Sequence, residues 1–269
     1  MLSPNLFNSV FVFPILNLLL LLYKVFLFIR LPGAFGFAII GLTVLIRGLF
    51  QPFFKQQMET AKKMQELKPH LDRLNEKHKG DQKTLQQEQL KLYQQAGINP
   101  ASGCLFMIIQ IPVFIALYQA LSLFLINNQA AKMITEINGI LYAPFLRITQ
   151  AINPWFFGFN LAVSPKQSGT WVYLLVPLVT GILQYFQATS MAMTPPVQEK
   201  KPDDKKGKED SADFQKAMNT QMKFLFPLMI GWFSYTLPAG LSLYWNIFSL
   251  FSIIQGKQLN VKSQITNKK

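Results

Sequence analysis

Apolar positions along this chain come in long, nearly unbroken runs, and charged positions are gathered into the stretches between them. Residues 9–29 are strongly apolar, interrupted by Pro14, Asn17 and Lys24, with Pro32-Gly33 and Gly36 closing the run. Asn17 and Lys24 are seven apart and share a helix face, so this segment is expected to lie in the membrane interface with Lys24 reaching the headgroups; spanning is the alternative. Residues 35–54, 103–126 and 171–191 each have the length and character of a membrane-spanning helix. Residues 222–237 and 240–256 read as a hairpin of two short spans around Pro238-Ala239-Gly240.

Between the first two spans the pattern changes. Residues 55–102 are charged and have no apolar run, yet Met58, Ala61, Met64, Leu67, Leu71 and Leu74 recur at three- and four-residue spacing. A second arm carries Leu85, Leu90 and Leu92, and Lys79-Gly80-Asp81 between the arms is a turn signal. This predicts an antiparallel helical hairpin in water with a narrow apolar seam. Residues 127–170 form a weakly charged, aromatic and Pro-containing connection, expected at the interface. Residues 192–221 mix Pro, Lys, Asp and Glu and cannot bury a core. Residues 257–269 form a basic tail. The predicted fold is therefore an all-α integral membrane protein of five transmembrane helices, with an interfacial segment over 1–34 and a helical hairpin outside the bilayer.

Charge placement orients these elements. Only 14% of the 269 residues are charged, and the formal net charge is +13. Lys and Arg number 20 in the 55–102 loop, the 192–223 loop and the tail, against 5 in residues 1–34 and the 127–170 connection. The positive-inside rule places both charged loops and the C-terminus in the cytoplasm. Topology accounts for most of the net charge, and no DNA partner is needed. The tail has four Lys and no acid; it reads as a cytoplasmic anchor, with a ribosomal RNA contact as the alternative.

Polar residues inside the spans are the candidate chemistry. Arg47 is the ionised residue within a confident span, and an Arg at a helix centre costs roughly 2.5–3.5 kcal/mol on insertion scales. Snorkelling would relieve it, but Thr43, Arg47 and Gln51 at i, i+4, i+8 form one stripe, which snorkelling does not require. Gln110 lies in the second span. Thr180, Gln184 and Gln187 share a face of the third, and Asn246, Ser249, Ser252 and Gln255 cluster in the last. Each alone is accounted for by interhelical hydrogen bonding. As a set they predict a polar groove open to the cytoplasm and closed by apolar outer halves. No phosphate-binding Gly-Lys-Ser/Thr loop, metal-ligand cluster or paired acid and base is visible, so neither an enzyme nor a cofactor is expected. Single Cys104 forms no intramolecular disulfide, and His70 and His78 read as solvated hairpin surface.

The order of motifs carries a resemblance. Thr-Val-Leu-Ile-Arg-Gly-Leu-Phe-Gln-Pro (43–52) ends the first span, and Lys-Lys-Met-Gln-Glu-Leu-Lys-Pro (62–69) opens the hairpin. Asn-Pro-Ala-Ser-Gly-Cys (99–104), Gln-Ile-Pro-Val-Phe-Ile-Ala-Leu-Tyr (110–118) and Leu-Pro-Ala-Gly-Leu-Ser-Leu-Tyr-Trp (237–245) follow. Over residues 14–258 the chain resembles the YidC/Oxa/Alb membrane-protein insertases. The resemblance implies a cytoplasm-open hydrophilic groove with its arginine at Arg47. It also implies a hairpin, here with Lys62, Lys63, Met64, Leu67 and Lys68, that receives nascent membrane proteins. It implies insertion into the bilayer alone or beside the Sec translocon, with ribosome and signal-recognition components as partners, in a bacterial cell membrane. The chain departs from the family pattern at Phe106, usually Pro, and at Phe248-Ser249, where many members have Ser-Asn. A short bacterial form without a lipidated N-terminal cysteine or a large external domain is expected. Two rival classes remain. A solute transporter or channel would usually show duplicated halves or a charged pathway. A membrane scaffold would tolerate neutralisation of Arg47 and an apolar residue at 184.

Overall fold

The computed structural model describes residues 3–78, 81–97, 101–125, 130–191 and 224–266, with the side chains of 101–110 and of some other helical positions excepted. The expected 192–221 loop, the Lys79-Gly80 turn and Asn99-Pro100 lie outside the described residues. The fold is mostly helical, as the apolar runs predict.

A π-helical turn, Asn8–Val12, leads into α1 (Phe13–Phe28). A turn with Arg30 at φ 56° and Gly33 at φ 76° reverses the chain into α2 (Ala34–Leu49). α2 ends at Phe50, and α3 (Gln51–Lys77) leaves at 65° to it. The break falls ahead of the expected 54/55 boundary because Pro52 lacks an N–H and its ring would clash with the Gly48 carbonyl of a continuous helix; it is tolerated in the first turn of a new one. α4 (Gln82–Gln95) starts at Asp81, whose carboxylate accepts the Thr84 N–H at 3.1 Å. α3 and α4 pair with each other as a helical hairpin. The Gln89 amide donates to Asn75 Oδ1 across it at 3.0 Å, and Phe54, Met58 and Leu85 are buried apolar residues on its two arms.

α5 (Ala101–Leu125) and α6 (Ala130–Asn138) follow. The connection beyond α6 is more ordered than its composition suggests. Asn17, inside α1, donates to the Ile140 carbonyl at 3.2 Å and accepts the Tyr142 N–H at 2.7 Å. Lys24, two turns on, donates to the Arg147 carbonyl at 2.8 Å. One departure from an all-α fold is a two-stranded antiparallel hairpin, β1 (Trp155–Phe156) and β2 (Phe159–Asn160). Its tip, Phe157-Gly158, has φ of 46° and 85°, the left-handed geometry of a two-residue hairpin turn. The Phe156 ring enters a notch at Gly36, where a Cβ would sit 2.2 Å from the ring.

A short α7 (Pro165–Ser168) carries a capping box between Ser164 and Gln167, and a 3-10 turn, Trp171–Leu174, opens α8 (Leu175–Met191). α9 (Phe226–Thr236) and α10 (Ala239–Thr266) form the terminal hairpin. The first N–H groups of α10 have no partner within their own helix. The connection supplies them: the Ala239 N–H donates to the Val163 carbonyl at 3.1 Å and Gly240 to Leu161 at 2.9 Å. α10 runs on to Thr266, so the expected tail begins as helix.

One apolar core joins α1, α2, α5 and α10 through Leu16, Leu19, Leu20, Phe35, Ile39, Leu42, Leu117, Leu121 and Leu241. Phe35 packs edge-on against Tyr23 and Phe124 at 6.1 and 5.7 Å. By length and composition, two helical stretches among the described residues can cross a membrane, Asn8–Phe28 and Trp171–Thr189; the bent pair of α2 and the start of α3 makes a third.

Candidate functional site

The polar residues of the apolar helices converge on α10, which packs between α2 and α8. From α2, Arg47 is 1% exposed. Its Nη2 donates to the Phe248 carbonyl at 2.8 Å and to Ser252 Oγ. The Phe248 ring lies 3.8 Å from the guanidinium carbon and the Phe54 ring 4.1 Å, and the two rings meet at 78°, so the cation sits in the corner between them. Its Nε is buried without a hydrogen-bond partner. Each ring contributes about 0.5–2 kcal/mol, and a hydrogen bond to a charged group about 1.5–3 kcal/mol. Together these offset an insertion cost of roughly 2.5–3.5 kcal/mol. The charge is held by protein groups, with no acidic side chain in the predicted spans to neutralise it.

From α8, Gln184 is buried and donates to Ser249 Oγ at 3.1 Å, while Ser249 donates to the Trp245 carbonyl at 2.8 Å. One turn earlier, Thr180 belongs to a buried chain of hydroxyls: Ser234 of α9 donates to Thr180 Oγ1 at 3.1 Å and shares a hydrogen with Ser242 of α10 at 2.7 Å. Thr180 donates in turn to the Val176 carbonyl. α8 and α9 approach closely here, since a Cβ on Gly231 would lie 3.8 Å from the Gly181 Cα.

The other predicted residues fall as follows. Thr43 is buried on the Arg47 side of α2 but gives its hydroxyl to the Ile39 carbonyl at 2.7 Å. Gln51 is exposed, at the start of α3 beyond the bend. Asn246 and Gln187 are half-buried, and Asn246 Oδ1 is sealed from solvent without a partner. The Gln110 side chain lies outside the described residues. In the hairpin, Lys62, Met64 and Leu67 are half-buried and Lys63 is exposed; Lys62 approaches Glu66 at 3.9 Å, and the Lys68 side chain is not among those described. Hydrogen bonds from Thr84 hold the Asp81 carboxyl below its usual range, and the Lys91 ammonium does the same for Glu88.

Sequence reasoning missed several participants. Ser242 was readable, four residues before Asn246 and seven before Ser249 on one stripe. Ser234 stands alone on α9 with no periodic companion. Phe54 and Phe248 are two of 24 Phe and carry no local signal.

A mostly helical membrane protein, in which neighbouring apolar helices turn polar side chains toward one shared helix and hold a buried arginine there, is the class defined by this fold and site. The sequence model of the 60Kd inner membrane protein family matches residues 27–268, and the chain belongs to that family, the YidC/Oxa/Alb group. It is 34% identical over 245 residues to the chloroplast inner membrane protein PPF-1 of Pisum sativum, covering 84% of this chain and 49% of that protein. Chloroplast inner membrane protein ALBINO3 of Arabidopsis thaliana is also 34% identical over 245 residues, with 84% and 46% covered. The membrane protein insertase YidC of Oceanobacillus iheyensis is 28% identical over 265 residues, covering 96% of this chain and 85% of that one. The chain spans about half the length of the chloroplast relatives it matches.

Proposed function

We propose that this protein is a membrane-protein insertase: it receives nascent membrane proteins from the cytoplasm and helps their helices enter the bilayer, without acting as an enzyme. The observation that carries the reading is a buried arginine held against α10, in a chain whose relatives include proteins named as insertases. α2, α5, α8, α9 and α10 are the five spans, around a cytoplasm-open polar groove. α2 and α9, at about 24 and 16 Å, fall short of a hydrocarbon core of about 30 Å, so the bilayer thins beside them. α1 lies in the outer interface: Asn17 and Lys24, two turns apart, both bind the outer connection. The exposed aromatics Tyr142, Phe145, Trp155, Phe157 and Trp171 all fall in that outer layer, as an interfacial belt would.

In the mechanism, the hairpin α3–α4 takes up the substrate, and its polar tail enters the groove. An acidic residue on the tail makes a charge-assisted contact with Arg47. The substrate's apolar helix then partitions into lipid, driven by burial of its side chains. The membrane potential draws acidic groups outward by about 2.3 kcal/mol per charge per 100 mV. The Sec translocon, ribosome and signal-recognition components are the partners this activity would meet, in a bacterial cell membrane with the charged loops and C-terminus cytoplasmic.

The test is insertion of a one-span substrate with an acidic N-terminal tail into liposomes carrying a membrane potential. Wild type should insert it, Arg47→Ala should fail and Arg47→Lys should retain partial activity. Equal activity of Arg47→Ala would remove the charge from the mechanism, and solute flux without insertion would favour a transporter.

A further inference from the structure

Arg47 as it stands is poorly placed to meet a ligand. Two rings set at 78° to each other, their centroids 6.2 Å apart, lie against its guanidinium, Nη2 is committed to α10, and Nε is sealed without a partner. A buried charged donor left unpaired is unfavourable, and Nε is the edge a carboxylate would satisfy. Arg47 is 1% exposed, so a group packed against it has to move before a carboxylate can reach it, and the two rings are the candidates. They are not equivalent. Phe248 is part of α10, held between α2 and α8 and tied to Arg47 through its own carbonyl. Phe54 lies on α3, one turn past the 65° break at Phe50, on the helix that forms the first arm of the hairpin.

We propose that Phe54 controls access to Arg47, and that a swing of α3 about Phe50 uncovers the guanidinium. The inference rests on the proposed insertase function and adds to it a mechanical link between the hairpin and the groove. The geometry sets the scale. Phe54 is about 6 Å along the helix from the pivot, and the far end of α3 is about 40 Å from it. A swing of about 20° moves the Phe54 backbone about 2 Å, enough to take its ring from 4.1 Å to the edge of the roughly 6 Å range of cation–π attraction. The same swing moves the tip of the hairpin by about 14 Å. A substrate that displaces the hairpin therefore exposes the arginine in the same motion, and the ring returns when the hairpin does.

Site-resolved labelling with phenylglyoxal, read by mass spectrometry on the full chain in lipid nanodiscs, tests this without any substrate. The chain has four arginines; Arg30, Arg73 and Arg147 are exposed and serve as internal references. Arg47 should label at least tenfold more slowly than Arg73. Phe54→Ala should raise its rate at least fivefold, Phe54→Tyr should keep it within twofold, and Phe50→Gly, which loosens the pivot and leaves the ring, should raise it several-fold. Thermal melting of each variant identifies one that has unfolded, and Phe54→Tyr and Phe50→Gly then still decide the matter. Arg47 labelling as fast as Arg73 in the wild type overturns the cover, and no change in Phe54→Ala overturns the role of Phe54. No change in Phe50→Gly overturns the link to the hairpin. Because no insertion is measured, these results stand apart from any failure of the insertase reading.

Discussion

Replacing Ser234 by Ala removes one oxygen from the middle of a three-hydroxyl chain joining three helices. Two interactions go with it, the 3.1 Å bond to Thr180 and the 2.7 Å bond to Ser242. Thr180 keeps its bond to the Val176 carbonyl, so its loss is partial. Ser242 Oγ, fully buried, is left with no side-chain partner. Interhelical hydrogen bonds in membranes average about 0.6 kcal/mol and reach about 1.7 kcal/mol, so two lost bonds destabilise the protein by about 1–3 kcal/mol. The assay is reversible unfolding in bicelles, for Ser234→Ala, Ser242→Ala and the double variant. The double-mutant cycle should give a coupling of about 0.5–1.5 kcal/mol, because either single change destroys the same 2.7 Å contact. Additive effects would mean that the two hydroxyls find other partners in the membrane, and the chain would then be a consequence of packing rather than a bond between helices.

Other perturbations test separate parts of the structure. Gly36→Ala places a methyl where the Phe156 ring lies, and should destabilise the fold by about 1–3 kcal/mol in the same assay; Phe156→Leu should restore part of the loss. Gln184→Leu removes a bond worth about 0.6 kcal/mol and leaves Ser249 its bond to Trp245, so stability should change little while insertion falls. Unchanged insertion would make Gln184 a structural helix–helix contact. Asp81 has its carboxyl depressed by Thr84, so its support of α4 is fully present above the ordinary Asp range near 4 and is lost as pH falls through the depressed value. Amide exchange at Thr84 should be indifferent to this cap between pH 7 and 5 and should accelerate, after correction for intrinsic rates, only below about 4. In Asp81→Ala that acid-dependent step should be gone.

The membrane-spanning character, the hairpin and the polar stripes were legible because they depend on local pattern. A helix of period 3.6 puts Thr180 and Gln184 on one face whatever else the chain does, and Pro52 marks a helix boundary by its own covalent structure. What the stripes meet was not legible. Thr180 and Gln184 both face α8's neighbours, but whether they line water or bond to Ser234 and Ser249 depends on how close the helices come, which Gly181 and Gly231 decide at long range. The cover over Arg47 depends on residues seven ahead and 201 ahead in sequence, brought together by a bend. The order of the connection after α6 was not legible because much of it comes from single polar side chains, Asn17 and Lys24, that reach it from α1.

The layer built from the connection between α6 and α8 is sewn shut. The Phe156 ring occupies the Gly36 notch, and the carbonyls of Leu161 and Val163 take up the first amides of α10. In the groove reading the inner half of the helix cluster is wet, and this layer is the insulation that remains. Voltage across a membrane drops where water and ions cannot follow, so nearly all of it falls over the thin dry layer. The work done on a crossing charge is unchanged, but it is done over a shorter distance, and the local field is correspondingly stronger. A substrate's acidic tail that reaches the head of the groove would feel little pull until the last few ångströms, and then most of it at once.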